Sequence, residues 1–206
     1  MHISWLGISG FKIEFKTATT EGTMLIDPYN NEAEAMPRSL GAELVLATHG
    51  EKELITLTKE PFVISEAGEY EYKEVLVYGF QTTLRTDAPL VFRLEVEHMT
   101  IAHLGMLPAA PDEKLLNELN GVDILMVPVG GGGSLTAERA AELVTKIEPR
   151  IVIPYAFKAK GTGADFAEVT AFLKAVGSQP EMQQKLKITK KDLPSDQLVV
   201  ALLEKQ

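Results

Sequence analysis

The stretch ELVLATHGEKELIT, residues 43–56, governs how the rest of the chain is read. Leu44 to Ala47 is an unbroken apolar run, the pattern of a strand covered on both faces rather than one. It gives way at once to Thr48, His49 and Gly50, so a histidine stands where a buried strand enters a loop. Such a placement is a common start for a metal site, yet the following Glu51–Lys52–Glu53–Leu54 holds no second histidine. Outward from this run the first half breaks into short strands. Residues 2–6 and 11–15 alternate around Ser9–Gly10, and Met24–Leu25–Ile26 stops at Asp27–Pro28. Further strands are expected at 62–64, 72–78, 90–97 and 99–104, the last two turning at Glu97–His98.

The second half changes period. Leu115, Leu116 and Leu119 fall at helical spacing after Pro111 and stop at Asn120–Gly121. Val122 to Val129 reads as another buried strand, ending in four glycines at 130–133. Ser134 or Thr136 can cap a helix whose apolar face is Ala140, Ala141, Val144 and Ile147. A strand follows at Ile151–Pro154, with Gly161 and Gly163 as breakers in a polar loop. An amphipathic helix carrying Phe166, Val169, Phe172, Leu173 and Val176 ends at Gly177. Strands near 186–189 and 197–203 close the chain. Many strands with a few interspersed helices predict a single domain over 1–206, built as two sheets packed face to face and covered by helices.

Composition narrows the function classes. The chain carries 29 acidic against 20 basic residues, a net charge of -9, and its cations are scattered. A nucleic-acid backbone binder needs a concentrated cationic surface, so nucleic acid is not an expected partner. No cysteine is present, which excludes disulfides and thiolate metal sites. No apolar run approaches the roughly 18 residues of a membrane helix, and the alternating N-terminus is not a signal peptide. A cytoplasmic location without membrane partners is the expectation.

Seven segments in order carry a resemblance: WLGISGFKIE (5–14), MLIDP (24–28), ELVLATHG (43–50), EAGEYE (66–71), TIAHLGML (100–107), DILMVPVGGG (123–132) and PRIVIPYAFK (149–158). They resemble the metallo-β-lactamase superfamily, within it the compact hydrolases related to ascorbate-6-phosphate lactonase. The resemblance implies an α+β, four-layer αββα sandwich of two mixed sheets, with one or two metal ions, usually zinc, at the rim between them. The family loop Thr-His-x-His-x-Asp-His lies over Thr48–Leu54, where only the first histidine survives. Glu51 stands at the second ligand position, Glu53 at the aspartate and Leu54 at the last histidine. Further on, Met106 replaces the bridging carboxylate of His-Leu-Gly-Asp, and Ala156 the histidine of Ile-Pro-x-His. Another family histidine falls near Leu84, and the family Gly-His-Ser reads Gly7–Ile8–Ser9.

A zinc site needs at least three converging donors, commonly histidine with carboxylates. The residues available at the rim are His49, Glu51, Glu53 and Asp27, with His103 in an apolar strand better suited to the core. His49, Glu51 and Glu53 are the candidate metal ligands, and with Asp27 the candidate catalytic residues. The four glycines precede a helix but lack the Lys-Ser/Thr of a phosphate loop, so backbone packing is the expected reason for them. These readings predict a protein of this fold without the family metal centre, a non-hydrolytic binding or assembly protein for which no cofactor is expected. The alternative is a metal-dependent or metal-free hydrolase of a lactone- or phosphoester-type small molecule, remodelled around His49, with zinc or another divalent metal in the metal-dependent case. A small-molecule or protein ligand in the cleft and a homo-oligomer are both compatible with the sequence.

Overall fold

In a computed structural model the fold is described for residues 1–30, 36–37, 39–82, 89–159 and 165–206. The expected positions at Leu84, Gly161 and Gly163 lie outside them. The strands are β1 (His2–Gly7), β2 (Gly10–Lys16), β3 (Glu21–Ile26), β4 (Leu44–Leu46), β5 (Phe62–Ile64), β6 (Gly68–Tyr72), β7 (Val75–Gln81), β8 (Leu90–Val96), β9 (Met99–His103), β10 (Ile124–Pro128), β11 (Ile151–Tyr155), β12 (Met182–Gln183), β13 (Leu186–Lys187), β14 (Val199–Val200) and β15 (Leu202–Leu203). The helices are α1 (Glu113–Leu119), α2 (Ala137–Ile147) and α3 (Thr170–Ala175).

Two mixed sheets carry the architecture. One has six strands in the order β13-β1-β2-β3-β4-β5, the other seven in the order β14-β11-β10-β9-β8-β7-β6. The run at 44–46 lies one strand in from the edge of the first, parallel to β3 through Leu25↔Val45 and to the edge strand β5 through Val45↔Val63. Alternate side chains explain why no polar residue interrupts it. Met24, Ile26, Leu44 and Leu46 point into the core between the sheets. Leu25 and Val45 point the other way, into a second cluster with Leu6 and Ala42 that is covered by Met36, Leu40, Leu54 and Leu57. Both faces are dry, and each fully buried side chain of this size stabilises by roughly 1.5–3 kcal/mol. The outer face of the seven-stranded sheet is covered differently: α2 packs on β10, with α1 and α3 beside it.

Several local expectations need correction. The strand expected at 72–78 is a hairpin, β6 to β7, broken at Lys73 and Glu74 with φ of 48° and 61°. Two successive left-handed residues match the twist of a tight hairpin, and here neither is the glycine or asparagine that would announce it. The same geometry occurs at the expected turn, Glu97 and His98, with φ of 51° and 62°. The last helix is shorter than its apolar pattern: α3 starts at Thr170, so Phe166 and Val169 pack from the chain before it. The strand expected over 197–203 is split at Ala201, whose amide bonds Val152 O at 2.8 Å, so β14 joins the large sheet and β15 pairs with β12. At α2 the cap is Thr136 rather than Ser134, accepting from the Arg139 amide.

Asp123, just before β10, ties four segments together. Its carboxylate accepts from the Thr100 amide at 2.9 Å and from Lys190 Nζ at 2.9 Å, and lies 3.7 Å from Arg150 Nε. Asp123→Ala is expected to cost about 2 kcal/mol, the scale of a charge-assisted hydrogen-bond set, measurable by urea unfolding.

Candidate functional site

The strands β1, β3, β4 and β9 all run out at one rim, and the loops after them surround a cleft of about 990 Å³. β3 and β4 are parallel, and ligand sites in such sheets lie beyond the carboxyl ends of the strands. Ser9, Asp27, Tyr29, His49, Lys52, Glu53, Leu54 and Met106 are among the residues lining it.

Asp27 organises this rim. It follows β3 with φ of 48° and is almost fully buried. Its Oδ1 accepts from the Thr48 amide at 2.7 Å and its Oδ2 from the Thr48 hydroxyl at 2.7 Å. Burial pushes its pKa up to about 6, against the Thr48, Ser9 and Tyr29 groups that hold it down. The Thr48 hydroxyl then lies 2.8 Å from His49 Nδ1. Because that hydroxyl gives its hydrogen to ionised Asp27, the His49 Nδ1–H is the donor in this contact. His49 therefore offers Nε2 as its unprotonated nitrogen. Its ring is open to solvent on one side, while protein atoms on the other desolvate it and lower its pKa.

Tyr29 completes the support, and nothing in the sequence pattern singled it out beyond its place after Asp27–Pro28. Its hydroxyl accepts from the His49 amide at 2.7 Å and donates to Gly50 O at 3.0 Å. Its ring meets His49 edge-on at 6.1 Å. Burial and the neighbouring Asp27 raise its pKa, so it stays protonated.

The other candidates are dispersed. Glu51 turns away from the cleft, accepting from Ser65 Oγ at 2.6 Å, whereas Glu53 lines it from an exposed turn. His103 is fully buried between the sheets, stacked on Tyr155 at 5.0 Å and edge-on to Phe11 at 5.7 Å. Its Nδ1 accepts from the Gly105 amide, which leaves Nε2–H to donate to Ser9 O. Burial pushes its pKa down to about 3, so it is a neutral core histidine. The Tyr155 hydroxyl donates to Gly105 O and pins the same loop.

Ala156 is sealed off. It is fully buried, and its amide donates to Ile8 O, which also accepts from Trp5 Nε1 at 3.0 Å. The loop at 7–10 thus lies against the end of β11. Two of the four glycines serve packing: a Cβ on Gly130 would sit 2.1 Å from Ala156 O and one on Gly132 3.0 Å from the Phe166 ring, whereas Gly131 and Gly133 have open space and a left-handed φ of 69° and 96°. Ser134 closes the turn by donating to Gly131 O at 2.7 Å. Among the described residues, no three His, Asp or Glu side chains are grouped so as to hold a metal ion.

A sequence model described as a beta-lactamase superfamily domain matches residues 2–156. The crystal structure of a Thermotoga maritima protein of the metallo-beta-lactamase superfamily superposes with a TM-score of 0.83, at 25% identity, over 99% of this chain and 100% of that one. The chain belongs to the metallo-β-lactamase superfamily. Within the superfamily it is similar to a UPF0173 protein of Pyrococcus abyssi, 30% identical over 80% of this chain and 87% of the relative. It is also similar to a UPF0173 metal-dependent hydrolase of Lysinibacillus sphaericus, 26% identical over 75% of this chain and 84% of the relative. A third relative, named a UPF0173 metal-dependent hydrolase from Methanosarcina barkeri, is 26% identical over 74% and 81%. The expected superfamily and its α+β sandwich of two mixed sheets are thereby shown. No helix among the described residues is long and apolar enough to cross a membrane.

Proposed function

We propose that this superfamily member hydrolyses a small molecule of the lactone or phosphoester type in the cleft at His49. One observation carries the reading: His49 stands in a cleft of about 990 Å³ with its Nδ1 2.8 Å from the Thr48 hydroxyl, a contact that, with Thr48 donating to Asp27, leaves Nε2 as the acceptor. The names of the Lysinibacillus and Methanosarcina relatives support hydrolysis over the binding or assembly reading. Nε2 takes a proton from a water molecule as its oxygen bonds the carbonyl carbon or phosphorus. The ester bond breaks, and the proton passes to the departing alkoxide. A lowered histidine pKa suits this role, because the ring is neutral and ready to accept at neutral pH.

Turnover of a panel of lactones and phosphoesters checks the proposal. His49→Ala is expected to lower kcat/KM by about 10²–10⁴-fold, the usual contribution of a positioned general base. Activity that survives His49→Ala undiminished would remove the assignment. A second reading, a binding protein without turnover, is favoured by the internal use of Asp27, Glu51 and His103 in hydrogen bonds to neighbouring protein groups. No turnover across the panel, with one of its members shown to bind, would establish that reading instead.

A further inference from the structure

Among the described residues, the rim offers few groups to a cation. Both oxygens of Asp27 accept from Thr48, and both nitrogens of His103 are used, by Ser9 O and the Gly105 amide. Glu51 is drawn to Ser65. Leu54 and Met106 present apolar atoms to the cleft, and Ala156 is closed beneath the Ile8 carbonyl. Of the His, Asp and Glu side chains among the described residues, His49 Nε2 and the Glu53 carboxylate remain, two donors from one loop where a zinc site takes at least three protein ligands. The divalent metal implied by the fold does not fit this donor set.

A different device surrounds His49. Ionised Asp27 can only accept, so the Thr48 hydroxyl must point its hydrogen at Asp27 and receive the one on His49 Nδ1. In superfamily sites a metal ion fixes such a ring by bonding it; here hydrogen bonds with a defined polarity can do so.

We infer that this cleft works without the divalent metal of its superfamily, and that the chain Asp27–Thr48–His49 instead holds His49 in the tautomer with a bare Nε2. Thr48 and Asp27 are positioning residues, acting through His49. The role assigned to Nε2 rests on the hydrolytic reading, but metal content and tautomer are both measured without substrate, so either can fail alone.

The polarity of the chain makes it testable. In Asp27→Asn the amide oxygen can still accept from the Thr48 amide, while the new NH₂ must donate to the Thr48 hydroxyl. That hydroxyl then donates to His49 Nδ1, and the ring proton moves to Nε2. Nitrogen-15 NMR of the ring is expected to report Nδ1–H in the wild type and Nε2–H in Asp27→Asn. An Nε2–H wild type, or a tautomer unmoved by the substitution, would overturn the positioning role. For the metal, the wild-type protein is dialysed against zinc, manganese or iron(II), then against metal-free buffer, and its metal content is measured. No stoichiometric metal and an unshifted His49 Nε2 resonance are expected. One equivalent retained by wild type and lost from the His49→Ala, Glu53→Ala double variant would refute the inference. Both side chains are exposed, so that variant is expected to fold, which the circular dichroism melt verifies.

Discussion

Gly130→Ala is expected to destabilise the protein by about 3 kcal/mol or more, the upper range of overpacking in a core that cannot relax. The new Cβ would lie 2.1 Å from Ala156 O and 2.9 Å from Phe157 Cα, both backbone atoms. Neither can swing aside as a side chain would. The Ala156 amide is bonded to Ile8 O, and the Phe157 ring packs on Trp5 with centroids 4.7 Å apart. Relief therefore requires moving β11 together with the loop at 7–10, which forms part of the cleft wall. In a chain of this size that loss corresponds to a fall in Tm of roughly 6–12 °C. Gly131→Ala is the control: its Cβ meets nothing within 4 Å, but its φ of +69° is left-handed. It should cost only about 1–2 kcal/mol, the conformational penalty alone. Equal melting temperatures for the two variants would show that the close approach at Gly130 is not what the position demands.

The second large effect is a pH profile in which two buried groups oppose each other. Burial takes the His103 pKa from the ordinary 6.5 to about 3. Between those values the unfolded chain binds more protons than the folded one. Its contribution is thus complete above pH 6.5 and lost as the pH falls towards 3, by up to about 5 kcal/mol. Asp27 shifts the other way, from 3.8 to about 6, chiefly through burial. Its contribution is complete below pH 3.8 and lost as the pH rises through 6, by about 3 kcal/mol at most. From pH 6 down to 4 the two nearly offset in the wild type. Asp27→Asn removes one side of that balance. Relative to wild type, the variant is expected to lose a further 2 kcal/mol or so on acidification from pH 6 to 4. Glu14, held low by Lys12, and Glu43, held low by the Thr23 amide, destabilise both proteins in acid and cancel in the difference. Urea unfolding of the pair at pH 4, 5, 6 and 7 gives the comparison. A difference that stays constant across this range would mean Asp27 is not buried as a carboxylate.

The sequence showed parts of this molecule unequally. Runs such as Leu44–Leu46 and Ile124–Pro128 were legible because a strand covered on both faces has no position where a polar side chain can be solvated. The turn at Lys73–Glu74 was not, since its two left-handed residues carry no glycine or asparagine. The split between β14 and β15 depends on the bond from the Ala201 amide to Val152 O, a partner some fifty positions away that no local pattern encodes.

The candidate site divides in the same way. Through the resemblance of its seven segments, the sequence by itself determined the family and the two-sheet fold, and it set up the expectation that Glu51, Glu53, Leu54, Met106 and Ala156 stand at family ligand positions. Only the tertiary structure decided what the remaining polar groups do. It turned Glu51 towards Ser65, drew both nitrogens of His103 into the core, and put Asp27 and Tyr29 around the loop carrying His49. The reason is physical. A residue's identity fixes which hydrogen bonds it can make, but the partner that takes each one is set by packing between strands far apart in sequence, and a donor already engaged inside the protein is not available to a ligand.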